Sequence, residues 1–172
     1  MRRIWVLVVL LAACSGAGAG ASTTTSTAAQ TTTTTPATTI TTPPPECPEA
    51  PYEMPFLPVG VGQGDVDTAG LEPDVWTSVA GTHTTFVPRD DGTVAIALVR
   101  GTLPPVNWPG EKGEVDIDGT AAVAGPHPDG TWVVGWYEAP GERCDLYTMV
   151  FYPPWSPSDV EQVLQEMNRV GG

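Results

Sequence analysis

Thr131-Trp132-Val133-Val134-Gly135-Trp136-Tyr137-Glu138 is the stretch that sets the fold. Side chains on a strand alternate between two faces, so Trp132, Val134 and Trp136 share one side and Val133, Gly135 and Tyr137 the other. Gly125-Pro126-His127-Pro128-Asp129-Gly130 precedes the stretch and Ala139-Pro140-Gly141-Glu142 follows it, both short and rich in turn-forming residues. Separators of that length join neighbouring antiparallel strands. Glu114 to Ala124 and Cys144 to Tyr152 are therefore predicted to flank it in a meander.

Further out, Thr93 to Arg100 reads as a strand that is apolar on both faces, with Val94, Ile96 and Leu98 opposite Ala95, Ala97 and Val99. Such a strand belongs in the middle of a sheet, covered on both sides. His83 to Val87 and Val75 to Ala80 are shorter candidates, and Pro88-Arg89-Asp90-Asp91-Gly92 is turn chemistry. Gly101 to Gly113 is a loop broken by Pro104, Pro105 and Pro109, with Trp108 near its tip. One helix closes the chain: Ser156 caps it, Pro157 suits its first turn, and Asp159 completes a capping box. Val160, Val163, Leu164 and Met167 make its apolar stripe, with Arg169 at the carbonyl end and Gly171 as the stop. The expected fold is α+β, an antiparallel meander with one C-terminal amphipathic helix packed on it.

The chain divides into three parts. Residues 1–13 form a signal peptide, with Arg2 and Arg3 before the apolar run Ile4 to Leu11. That run is about half the roughly 20 residues needed to span a bilayer. Residues 14–45 narrow almost wholly to Ser, Thr, Ala, Gly and Pro, which cannot offset their ordering entropy and so predict a disordered tether. Extended, it would reach roughly 90 Å at about 3.1 Å per residue, and Thr/Pro tracts of this kind suit O-glycosylated stalks. Residues 46–172 are long enough for one β-rich globular domain.

The order Leu11-Ala12-Ala13-Cys14 resembles the lipobox of bacterial lipoproteins, and the Ala/Gly/Pro/Thr usage resembles those of high-GC Gram-positive bacteria. The resemblance implies acylation of Cys14, cleavage before it, and a lipid anchor on the extracytoplasmic face of the cell membrane. Lipidation at Cys14 leaves Cys47 and Cys144 as an even pair in an oxidising compartment, and a disulfide between them is expected. Two free thiols are the alternative.

Charge excludes one class of partner. Seven Lys+Arg stand against 20 Asp+Glu, a formal net charge of −13, and loss of the signal removes two of the cations. Such a surface repels phosphate backbones, so nucleic acid is not expected, whereas cations or a basic partner are attracted. No cofactor is expected: the glycine run Pro58 to Asp65 lacks the Lys-Ser/Thr of a phosphate loop. His83 and His127 have no metal-ligand spacing. Ser78 is not in a Gly-x-Ser-x-Gly elbow, and Ser156 and Ser158 are explained by the helix start, so no enzyme assignment follows.

Two constellations remain. Glu114, Asp116 and Asp118 alternate, which on one strand would point three carboxylates the same way, and Gly119 follows as in a calcium loop. The position where that loop needs Glu is Gly125, so a solvated sheet edge is the preferred reading. Trp132, Trp136 and Trp108 are the candidate ligand face, a platform for a sugar or peptide, against the alternative that alternate Trp residues on a strand are core. Finally, Ile117-x-Gly119, Trp136, Tyr147 and the Ser156-x-x-Asp159-Val160 helix resemble a C-terminal domain of unknown function found in bacterial lipoproteins and the outer portions of anti-sigma-factor sensors. That resemblance implies a non-catalytic binding or sensing role toward a cell-envelope protein or glycan. The competing expectation is a cell-wall enzyme or carbohydrate-binding accessory using the Trp face and nearby acids.

Overall fold

A computed structural model describes residues 43–67 and 77–171 of the chain. The signal peptide, Cys14, nearly all of the tether, and Val75-Trp76 lie outside the described residues. Strand β1 is Tyr52–Glu53, β2 His83–Pro88, β3 Val94–Arg100, β4 Gly113–Ile117, β5 Thr120–Pro126, β6 Trp132–Tyr137 and β7 Leu146–Phe151; helix α1 is Pro157–Glu166 and β8 is Asn168–Arg169. Six strands form one antiparallel sheet in the order β2-β3-β7-β6-β5-β4. The fold is α+β, as the alternation in β6 predicts.

β6 lies between β5 and β7, with Trp136 opposite Ala122 on one side and Tyr147 on the other. β3 pairs with both β2 and β7, and Val94 to Val99 are buried without interruption. Its double-sided apolar pattern therefore reports a central strand correctly.

The segment from Glu114 to Ala124 departs from expectation. It is a hairpin of two strands, β4 and β5, folded about Asp118-Gly119. Both turn residues have positive φ, 49° and 80°, the left-handed geometry of the two-residue turn for which Asp-Gly is suited. Residues 77–80 form a turn and irregular backbone instead of the end of a strand. The C-terminus also differs. α1 stops at Glu166, and Asn168–Arg169 then run extended to pair with Tyr52–Glu53.

The helix start follows the sequence closely. Ser156 Oγ accepts the Asp159 amide at 3.2 Å, and Pro157 occupies the first turn. Val160, Val163, Leu164 and Met167 are buried with Ile117, Ala122, Val134, Trp136 and Met149 on one face of the sheet. Met54, Phe56 and Leu57 of the irregular lead-in pack against the same cluster. On the opposite face the loop at 101–112 lies over the sheet, where Trp108 joins Val133 and Val150. No described helix is long and apolar enough to cross a membrane.

Cys47 and Cys144 form the expected disulfide, with Cα atoms 5.5 Å apart and a sequence separation of 97. Around it, Arg143 donates to the carbonyls of Gly81 and Pro45, and Arg100 to those of Cys144 and Glu49. The lead-in is thereby fastened to the far end of the chain. Replacing both cysteines with alanine is expected to lower the unfolding free energy by about 4.7 kcal/mol, the chain-entropy value for a loop this long. Urea titration of the double variant against the oxidised protein checks this; equal midpoints at equal slope would show the bond to be energetically idle.

Candidate functional site

The two tryptophans of β6 point under the helix. Trp136 is buried, stacks on Tyr147 with ring centroids 5.1 Å apart, and donates its indole N–H to the Tyr52 hydroxyl at 3.1 Å. Trp132 is half-buried against the same cluster. Trp108 is buried on the opposite face of the sheet. The three rings therefore do not meet in one platform. Trp132 and Trp136 are core against the closing helix, the bland alternative that their spacing also allowed.

The acidic trio is likewise separated. Glu114 and Asp116 are exposed on β4, the edge strand, while Asp118 sits in the turn. Asp118 Oδ2 accepts the Arg169 amide at 3.1 Å, and Asp116 Oδ1 accepts the Gly119 amide at 2.9 Å. The carboxylates brace a hairpin and the C-terminal strand. Among the described residues no group of three or more His, Cys, Asp or Glu side chains is placed to hold a metal. His83 Nδ1 lies 3.5 Å from Glu46, and His127 Nδ1 lies 2.8 Å from Asp129 within its turn.

A polar knot near the helix end is the feature that sequence reasoning missed. Tyr52 donates to Glu138 Oε1 at 2.7 Å, and Arg169 holds both oxygens of Glu138 at 2.9 and 3.0 Å. These groups come from β1, the end of β6 and β8, which are distant in sequence, so no local pattern announces them. Burial, and then the bonded Glu138 carboxylate, hold the Tyr52 hydroxyl well above the usual phenol range. Burial pushes Tyr147 up to about 12, helped by the charge of Glu138.

The face away from the helix carries the feature best suited to a ligand. Over β5 and β6 the loop leaves an apolar groove of about 390 Å³. Its floor is Ala121, Val123 and Gly135, and its walls include Leu103, Pro104, Val106, Trp108 and Tyr137. Four of these residues are large, apolar and open to solvent: Val106 is 89% exposed, Tyr137 52%, Val123 40% and Leu103 37%. Scattered exposed apolar residues are ordinary, but these gather at one depression. Lys112 stands at the rim with its ammonium 4.9 Å from the Trp108 ring centroid, a cation–π contact.

Gly135 makes this geometry possible. A Cβ there would come within 2.5 Å of Pro104 Cδ, so the missing side chain lets the loop settle directly on the sheet. Lys112 and Tyr137 are the ionisable residues of the lining. The arrangement suits desolvation of aliphatic or aromatic groups.

No family model, no curated protein and no solved structure matches this chain.

Two outcomes are expected. Gly135→Val should push Pro104 and its loop off the sheet, costing about 1–3 kcal/mol through overpacking. The loop's displacement would be read as faster hydrogen exchange at Trp108; an unchanged rate would remove Gly135 from this role. Separately, Tyr52 and Tyr147 stay neutral in the fold at a pH where the unfolded chain ionises them. Stability should thus be intact below the unfolded value of about 10 and lost as pH rises toward 12. Urea midpoints at pH 8 and 11 check this, and Tyr147→Phe should reduce the difference.

Proposed function

We propose that this protein is a membrane-anchored extracytoplasmic lipoprotein whose β-rich domain is a non-catalytic binding module. One observation carries the anchor. Leu11-Ala12-Ala13-Cys14 follows a basic start and a short apolar run, and the other two cysteines of the chain are joined to each other. Cys14 is then the thiol left for acylation. The disulfide is also the chemistry of an oxidising compartment, in keeping with an address outside the cytoplasm.

The binding role rests on the groove between the loop at 101–112 and strands β5 and β6. It gathers four large, exposed apolar residues at one depression. A glycan-stacking or cell-wall hydrolase role is less well supported, because Trp136 and Trp108 are buried on opposite faces. The partner fitted to this module is a cell-envelope protein or peptide reached at the end of the tether, with no cofactor required.

Cys14→Ala tests the anchor. In cells that carry the lipoprotein-processing enzymes, the native chain should fractionate with membranes and incorporate labelled palmitate. The variant should lose the label and appear unprocessed or in the medium. Equal membrane retention with no label on the native chain would overturn the lipoprotein reading.

A further inference from the structure

We propose that the open edge of β4 accepts an extended peptide from a partner protein as an added antiparallel strand, and that this peptide alternates apolar and cationic side chains. The proposal deepens the binding-module reading and rests on it, at a surface distinct from the groove over β5 and β6.

Among the described residues β4 is the last strand of the sheet and pairs with β5 alone. In a hairpin with a two-residue turn, the pair next to the turn exchanges both main-chain hydrogen bonds, and such pairs then alternate with unbonded ones. Ile117–Thr120, Val115–Ala122 and Gly113–Ala124 are therefore the bonded pairs, so the amides and carbonyls of Glu114 and Asp116 point away from β5. Among the described residues no turn, loop or cap bond engages them.

Some room for an added strand lies alongside. α1 packs against β4, and between them opens a crevice of about 250 Å³ lined by Glu114, Val115, Asp116, Glu161, Leu164 and Gln165. It adjoins a larger depression, about 450 Å³, whose apolar lining includes Val115, Trp132, Val160 and Leu164.

The alternation of β4 sets the chemistry of the occupant. Val115 and Ile117 turn toward the helix side, and Ile117 is part of the core there. Glu114 and Asp116 turn to the other side. An added strand about 4.8 Å away carries side chains in the same alternation. Those beside Val115 would meet Leu164 and Val160, and those beside Glu114 and Asp116 would meet carboxylates. Opposite charges directly across a strand pair stabilise it, and like charges destabilise it.

The rest of the domain supplies little cation to compete. Arg89, Arg100 and Arg143 donate to main-chain carbonyls, Arg169 is paired with Glu138, and Lys112 sits over Trp108. A second copy of the chain is a poor occupant. Antiparallel pairing of two β4 edges about Val115 would set Glu114 of each against Asp116 of the other. The same acids that protect the edge from self-association select a basic partner.

The test uses the full chain in detergent and a nine-residue peptide alternating lysine and valine. Binding is followed by fluorescence anisotropy and by amide hydrogen exchange. The expected result is saturable binding that slows exchange at the Glu114 and Asp116 amides, and none with a glutamate–valine peptide. In antiparallel addition the lysine amides face β4 and the valine amides face away. N-methylation at lysine should weaken binding at least about tenfold, the loss of a few main-chain bonds, while N-methylation at valine leaves it within about twofold.

Glu114→Pro removes an outward donor while sparing the pairs with β5, and should abolish binding. If that variant misfolds, the two methylated peptides decide on the native chain. Undiminished binding of the lysine-methylated peptide would mean charge attraction alone and overturn the proposal. Absence of any binding would overturn it too. Slowed exchange at Val123 and Tyr137 with Glu114 and Asp116 unaffected would overturn it while leaving the groove, and the binding-module reading, in place.

Discussion

A six-stranded sheet has two faces to keep from water, and the described residues hold one ten-residue α-helix with which to cover them. The rest of the architecture answers that shortage. α1 covers one end of one face, and the lead-in brings Met54, Phe56 and Leu57 across more of it. The other face receives a loop without secondary structure, pressed down by Pro104 in the notch at Gly135 and by Trp108 against Val133 and Val150. Irregular segments make poor covers because their main-chain polar groups need partners. Here arginines supply many of them, from Pro45 and Glu49 in the lead-in to Tyr152 after β7. Where the loop runs out, over Val123 and Tyr137, the sheet stays bare. The groove is a part of that face the described residues leave uncovered.

This use of arginine shapes the exterior. Apart from Arg2 and Arg3, the chain has five Lys and Arg residues, and each is committed to a carbonyl, a carboxylate or a ring within the fold. Against these five stand 20 acids, more than the cations can neutralise. The negative surface is thus a consequence of how the covering segments are fastened as much as of composition. It favours solubility and draws basic ligands.

The parts of the fold legible in the sequence are those encoded by neighbours. Ser156, Pro157 and Asp159 lie within one turn and start the helix as their order predicts. β6 and β3 show their alternation openly. The hairpin at Asp118-Gly119 was present in the same local code, since Asp-Gly between apolar-alternating runs is a turn signal, but the regular acids of Glu114, Asp116 and Asp118 read as one longer strand. Other features were not local. Tyr52, Glu138 and Arg169 come together only once both ends of the domain are placed. The alternation of Trp132 and Trp136 shows that they share a face without showing which face the helix takes. Nor can one sequence reveal that Trp108, in a proline-broken loop, is buried on the opposite side. The groove escaped for a related reason: Leu103, Val123 and Tyr137 each look like ordinary strand or loop residues until the fold sets them side by side.

The position of the disulfide has a mechanical consequence. The described chain begins at residue 43, and Cys47 lies a few residues in, joined to Cys144 just ahead of β7, a central strand of the sheet. A pull applied from the N-terminal side meets this covalent link almost at once and passes into the middle of the sheet. The 97-residue span it closes contains β1 to β6, so tension cannot peel those strands away one after another. Load entering from that side would hold the domain taut without drawing these strands open.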